Sequence, residues 1–212
     1  MYSCKKSEPQ IVEIRTEGFE PIETRFPFED IVPAQGVTYW ELGYIQPEYY
    51  DSRKDTIIDT TQIVLFGGDL CRNSSNKDSC IGVFNAHKVP GTGFAPGCFP
   101  DYCYHLIKYR QNDEIRIAND SESIVVFLAD IDSESDAILL ALVSGYNYQI
   151  NNVELGGIKP SKNGYFLIVN QATGGCGEPY FTWQILIHIS TEGNIEELRR
   201  VVHSREEVSP CV

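Results

Sequence analysis

Within one short stretch the chain places donors that a metal ion would take. Cys98, Cys103 and His105 are spaced Cys-x4-Cys-x-His, with His87 upstream as a fourth candidate. Thiolates and imidazoles are the ligands of structural zinc, which holds four of them in a tetrahedron. The paired Cys-x2-Cys knuckle that opens many such sites is absent. The intervening segment, His87 to Pro100, carries three prolines and three glycines in fourteen residues and reads as a loop. A small disulfide loop braced by Pro100, with His105 an ordinary strand residue, accounts for the same residues. No metal and no cofactor is therefore expected. His87, Tyr102, Tyr104 and His105 remain as candidate ligand-binding residues, because tyrosine and histidine rings can stack against a sugar or a peptide.

A nucleophilic cysteine needs a lowered thiol pKa, an imidazole in reach and donors for an oxyanion. Gln171 precedes Cys176 as a glutamine precedes the nucleophile of papain-like peptidases. The offset differs, and Gly174-Gly175-Cys176-Gly177 lies between strands where that family opens a helix. His188 alternates with Thr182 and Gln184, which places it on a polar strand face. Gly-x-Ser-x-Gly, His-Glu-x-x-His and phosphate-loop patterns do not occur. Gly91-Thr92-Gly93 leads into Phe94 and a proline and not into a helix start, so it lacks the amide donors that cradle phosphate. Asp130, Asp132 and Glu134 do not follow the calcium-loop pattern and serve better as helix caps. No catalytic residue is expected. The alternatives are a small hydrolase or metal-dependent enzyme using the His87–His105 loop, and an intracellular zinc-stabilised domain with reduced cysteines.

The elements that would position these residues centre on Asp101 to Gly145. Tyr102 to Tyr109 alternates, Gln111-Asn112-Asp113 suits a turn, and Glu114 to Ala118 returns, so a hairpin is predicted. Asp120-Ser121-Glu122-Ser123 and Asp132-Ser133-Glu134-Ser135 repeat one tetrapeptide twelve residues apart. Each supplies side-chain oxygens for the free amides of a helix start and negative charge that suits the dipole there. Two helices are predicted, the second ending at Gly145, where a left-handed residue closes a helix well. Further strands are expected at Val37–Ile45, at Gln62–Phe66 (in a central position), at Ile81–Phe84, from Tyr146 to Leu155 and over Tyr165–Asn170. Phe181 to Ile189 and Ile195 to Val202 complete the set. Residues 1–9 read as a polar tether and 10–212 as a single α+β domain, with 10–36 an extended segment anchored by Phe19, Phe26 and Phe28. The expected fold is an antiparallel β-sheet with a helical pair packed on one face and disulfide-stapled loops.

Seven cysteines bound the compartment. Cys4 stands in a polar start; Cys71, Cys80, Cys98, Cys103, Cys176 and Cys211 form an even set with 15 possible connectivities. Local pairing of Cys71 with Cys80, Cys98 with Cys103 and Cys176 with Cys211 is the simplest scheme. Such usage implies an oxidising compartment. No apolar run is long enough to span a membrane. The formal net charge of −13 and the lack of a Lys/Arg cluster argue against a nucleic-acid surface.

The start, Tyr2-Ser3-Cys4-Lys5-Lys6-Ser7-Glu8-Pro9, resembles the mature end of a bacterial lipoprotein: a small residue, a cysteine that becomes lipidated, then a polar tether. No apolar signal segment precedes Cys4 in the sequence, which departs from the family's full pattern. The order from the Tyr102–Ala118 hairpin through Asp136 to Tyr146, a cysteine loop and a final hairpin ending in a cysteine is similar to uncharacterised bacterial envelope lipoproteins. The resemblance covers about half the chain, rests on caps and turns, and implies location and architecture without an activity. The expectation is a non-catalytic, exported envelope protein in the periplasm or at the outer surface. Cys4 would carry the lipid that is its only link to the membrane, and its partner would be a protein or a small ligand of the envelope.

Overall fold

The computed structural model describes residues 13–46, 50–51, 56–57, 60–72, 74–95, 103–174 and 178–207. In chain order the elements are β1 (Glu20–Pro21), β2 (Val37–Gln46), β3 (Tyr50–Asp51), β4 (Thr56–Ile57), β5 (Thr60–Gly68), α1 (Lys77–Ala86), β6 (Tyr104–Gln111), β7 (Glu114–Ala118), α2 (Ser121–Leu128) and α3 (Glu134–Val143). Then follow β8 (Gly157–Ser161), β9 (Gly164–Thr173), β10 (Tyr180–Ser190) and β11 (Ile195–Glu206). Antiparallel sheets thus dominate, with three short helices among the described residues. The chain groups into two compact units. One takes in the segment up to Arg25, Asn147–Ile189 and the chain from Ile195; the other takes in Phe26–Tyr146 with Ser190–Asn194.

The second unit is built on a sheet of order β5-β2-β6-β7. The β6–β7 hairpin forms where the sequence places it, with Gln111 opposite Glu114. Asn112 and Asp113 between them have φ of 48° and 69°. Two left-handed residues match the right-handed twist of the strands, and Asn and Asp adopt that conformation most readily after glycine. Tyr104 to Tyr109 is buried throughout, so β6 packs on both faces. Alternation sends Tyr104, Leu106 and Lys108 one way and His105, Ile107 and Tyr109 the other. On the first face, Phe84 of α1 is fully buried. It stands edge-on to Tyr39 at 5.4 Å and lies 4.4 Å from the Lys108 ammonium. Lys108 is paired with Glu41 at 2.8 Å. On the opposite face, the ring of Phe127 from α2 meets Tyr109 at 5.0 Å and Trp40 at 6.1 Å.

Both repeated tetrapeptides start helices, but one residue out of step. Asp120 caps α2 and accepts from the Ser123 amide, whereas Ser133 caps α3 and accepts from the Asp136 amide. The hydroxyl and backbone amide of Ser123 hold the Asp120 carboxyl below its ordinary value. In α3 the box is completed by Asp136, whose carboxylate accepts from the amides of Asp132 (3.2 Å) and Ser133 (3.0 Å). The helix closes with a Schellman motif. Gly145 N–H reaches Leu142 O, Tyr146 N–H reaches Ala141 O, and Gly145 has φ 85°.

Asp136 is fully buried. Burial raises its pKa above the ordinary 3.8, with the cap hydrogen bonds opposing. A raised native-state value means the group supports folding fully below pH 3.8, and that support is lost as pH climbs through the native pKa. In urea titrations between pH 3.5 and 7, wild-type stability should therefore lose ground to Asp136→Asn, which keeps an acceptor for both amides, as pH rises. An unchanged difference across that window would show that burial does not disfavour the carboxylate.

Three expectations for strands are corrected. Ile81–Phe84 is helical, as part of α1. Asn76 Oδ1 caps this helix by accepting from Ser79 N–H at 3.0 Å, and Cys80 and Phe84, one turn apart, point inward. The β-forming residues Ile81 and Val83 sit on its exposed side. Gln62–Phe66 lies in β5, an edge strand and not a central one. Tyr146–Leu155 is a run of turns with Asn151 at φ 56°. The strand instead follows at β8, over residues that read as a turn. Pro160 is tolerated in β8 because β1 pairs only with Gly157 and Ile158, leaving the missing amide no outer strand partner among the described residues.

The first unit is a sheet of order β1-β8-β9-β10-β11. The apolar face expected of β10 forms over Ile185, Ile187 and Ile189, which are fully buried, as are Leu167, Ile168 and Val169 of β9, but Gln184 on the other face is buried too. Ile14 is buried without belonging to a strand, and Phe19 packs under the Lys159 ammonium.

Candidate functional site

The residues singled out for ligand binding are distributed by the fold. His105 is buried within an aromatic cage, its ring centred 5.1 Å from Tyr44, 5.4 Å from Phe26 and 6.0 Å from Phe94. Tyr104 projects to the other face of β6, packs with Ile45 and Leu106 and donates its hydroxyl to Pro90 O at 2.8 Å. His87 is exposed and ends α1, its amide reaching Phe84 O. Tyr102 lies outside the described residues, as do Cys4, Cys98, Cys176 and Cys211. Tyr104 and His105 are thus divided by the sheet. Cys71 and Cys80 are joined in a disulfide, the kind of link that forms in an oxidising compartment. Cys103 is also disulfide-bonded, which removes it as a thiolate ligand for zinc. Among the described residues no group of three or more His, Cys, Asp and Glu side chains is placed to hold a metal.

One pair that the sequence did not reveal is Ser161 with His188. Ser161 ends β8 and His188 lies in β10, and Ser161 Oγ is 3.1 Å from His188 Nε2. Phe166 covers the imidazole at 4.8 Å. A hydroxyl beside an imidazole is the nucleophile–base unit of a hydrolase. Here the Asn163 amide donates to that same oxygen at 3.3 Å, as a turn-capping serine requires. Among the described residues no hydrogen bond orients the far ring nitrogen. The pair is that of a braced hairpin.

The surface with the most unusual chemistry is the edge formed by β5. Its residues, Thr60-Thr61-Gln62-Ile63-Val64-Leu65-Phe66-Gly67-Gly68, include no charge. One side is paired with β2, and no strand among the described residues pairs with the other. Ile63 is 54% exposed and Phe66 64% exposed. Every other outer strand of the two larger sheets carries a guard against strand pairing. β1 is two residues long and contains Pro21, β7 has Glu114 and Arg116, and β11 bears Glu196, Glu197, Arg199 and Arg200. Shortness, proline, charge and bulges are among the devices by which natural edges avoid unwanted partners, and of these β5 has only the last. A bulge at Val64, where the register with β2 shifts, is the single irregularity of β5.

Beside the end of this strand is a cleft of about 280 Å³ whose mixed lining sets Phe28, Trp40, Leu65 and Phe66 beside Glu29 and Thr38. Gly67 makes room for it. A Cβ there would lie 2.5 Å from Trp40 Nε1, so the indole lies across the glycine. Gly68, at φ 84°, then turns the chain away under the Thr38 carbonyl. No family model, curated protein or solved structure matches the chain. An open edge offers main-chain donors and acceptors at the strand spacing, and an adjacent cleft with aromatic walls offers a socket for one side chain. Those are the two parts of recognition by strand addition.

Proposed function

We propose that this protein is an exported, lipid-anchored binding module of the bacterial envelope, and that its β5 edge receives an extended segment of a partner protein. The single observation that supports this is the uncharged β5 edge, which lacks the charge, proline or shortness of the other outer strands described in the two larger sheets. An uncharged segment with alternating apolar side chains is the occupant that suits it, since the strip offers a charged one no partner. A bulky apolar residue of that segment would fill the cleft at Trp40 and Phe66. Within this reading Cys4 carries the lipid and residues 1–9 hold the domain off the membrane. The helices α2 and α3 form the pair that covers one face of the four-stranded sheet, an arrangement supported by the Phe127 ring contacts.

The test is a positional library of uncharged nine-residue peptides, followed by amide exchange on the best binder. Saturable binding with new protection confined to 60–68 is expected. Phe66→Lys should weaken it at least tenfold, about 1.4 kcal/mol, while leaving the far-ultraviolet spectrum unchanged. Binding with protection elsewhere, or no binding in the library, would sink the proposal. Protection of 60–68 that appears without peptide and grows with protein concentration would assign the edge to a second copy of this chain.

A further inference from the structure

The Cys71–Cys80 bridge sits in surroundings that an inert staple does not need. Arg110 projects from β6 on the face that α1 covers, and its Nη1 is in hydrogen-bond contact with Cys80 Sγ and 3.8 Å from Cys71 Sγ. The Arg110 side chain is only 20% exposed, and that of its ion-pair partner, Asp113 at 2.7 Å, is 92% exposed. A partly desolvated cation therefore faces two neutral sulfurs. Cys80 also lies in the first turns of the ten-residue helix α1, where backbone amides and the dipole favour an anion. Cys71 has φ 65°, in the left-handed region that non-glycine residues rarely adopt. Next to the bridge is a cavity of about 500 Å³ whose lining includes Cys71, Arg72, Ser75, Arg110 and Asn112, together with the carboxylate of Asp113. Arg72 is exposed and makes no ion pair among the described residues.

We propose that Cys71–Cys80 is a thiol–disulfide exchange site for a small thiol that carries carboxylates. Arg72 is the cation of the cavity placed to receive a carboxylate of such a molecule, Arg110 being engaged by Asp113 and the sulfurs. Cys71 is only 4% exposed and lines the cavity, so the thiolate must enter the cavity to attack Cys71 Sγ, and the Cys71–Cys80 bond breaks. The electron pair leaves on Cys80 Sγ, where Arg110 and the helix start receive the charge. The products are a mixed disulfide at Cys71 and a Cys80 thiolate, so no proton and no further oxidant is consumed. In the reverse step the Cys80 thiolate attacks Cys71 Sγ and expels the small thiolate, closing the bridge. The lower the pKa of the leaving thiol, the faster it leaves. Opening the bridge does not release α1, because Phe84 stays between Tyr39 and Lys108. This inference is independent of the β5 edge and stands or falls apart from it.

Reduced glutathione is the probe. The folded protein is equilibrated in graded mixtures of reduced and oxidised glutathione, quenched with acid and mapped by peptide mass. An adduct on Cys71 with Cys80 free is expected, and Arg110→Met should lower its equilibrium fraction about tenfold, with Arg110→Lys restoring part of it. Should Arg110→Met fail to fold, the wild type decides alone. After reduction, Cys80 should be alkylated with a pH midpoint below the value of about 8.5 for a free cysteine. A bridge that resists glutathione until the protein unfolds, an adduct on Cys80, or a Cys80 midpoint at or above the free value would each overturn the proposal.

Discussion

Replacing Lys108 by Met should destabilise the protein by about 3–5 kcal/mol, because it strands Glu41 as a buried charge without its partner. Glu41 and Lys108 are 5% and 8% exposed and stand 2.8 Å apart on neighbouring strands. Tyr39 completes the group by donating to Glu41 at 3.2 Å. Burial first, then the charge of Glu41, pushes the Tyr39 hydroxyl up to about 12, so it remains a donor at neutral pH. One neutral hydrogen bond contributes roughly 0.5–1.5 kcal/mol and cannot replace the cation. The decisive comparison is the double variant Glu41→Leu with Lys108→Met. Two apolar side chains of similar volume remove both desolvation costs, and such replacements are commonly neutral or stabilising by about 1–4 kcal/mol. A cycle of urea titrations should give a large favourable coupling between the two sites. If Lys108→Met costs less than about 1 kcal/mol, water reaches Glu41 and the pair behaves as a surface one.

The parts of this fold legible in the sequence are those fixed within a few residues. Asn112-Asp113 determines its own turn, the two Ser-Glu-Ser boxes cap their helices, and Gly145 ends α3, because each effect is settled by local backbone chemistry. The cap on α2 uses the aspartate and that on α3 the serine, a shift in phase that identical tetrapeptides cannot announce. α1 was hidden for a related reason. Ile81-Gly82-Val83-Phe84 has strand propensity, and the helix is held by long-range facts: Phe84 buried on Tyr39 and Cys80 tied to Cys71. Propensity is a weak prior that tertiary packing overrides.

The site was less legible than the fold. A run such as Gln62-Ile63-Val64-Leu65-Phe66 is equally apolar at the centre of a sheet or at its margin, and only the strand order places it at the margin. Its lack of charge, set against the charges of β7 and β11, was visible in the sequence but had no meaning until those strands were known to be edges. Arg110 beside Cys80 and Ser161 beside His188 are pairings across distant segments, created by register and packing alone. The cysteines and histidines that drew attention first are conspicuous by type. Their disposition, with Tyr104 and His105 on opposite faces of one strand, follows from alternation that a neighbouring position in sequence conceals.

The second large effect is expected at Phe127. This side chain is fully buried, with Tyr109 5.0 Å and Trp40 6.1 Å away, ring centre to ring centre. Phe127→Ala removes a ring from a site closed by two strands and a helix, which cannot fully collapse. The loss of transfer energy and the remaining cavity should together cost about 3–5 kcal/mol, a large share of the roughly 5–15 kcal/mol that holds a domain together. Phe127→Leu, which keeps more of the volume, should cost appreciably less. Urea unfolding gives the stabilities. Tryptophan emission adds a second readout, because Trp40 meets Phe127 edge-on and its indole lies across Gly67. A Trp40 freed on one side can tilt, and Trp40 lines the cleft at the end of β5. In the folded Phe127→Ala protein, peptide binding at β5 should therefore weaken although no contact residue has changed. If stability falls and binding does not, the cleft is shaped by Leu65 and Phe66 alone, and the anchor of the bound segment must be sought on the strand itself.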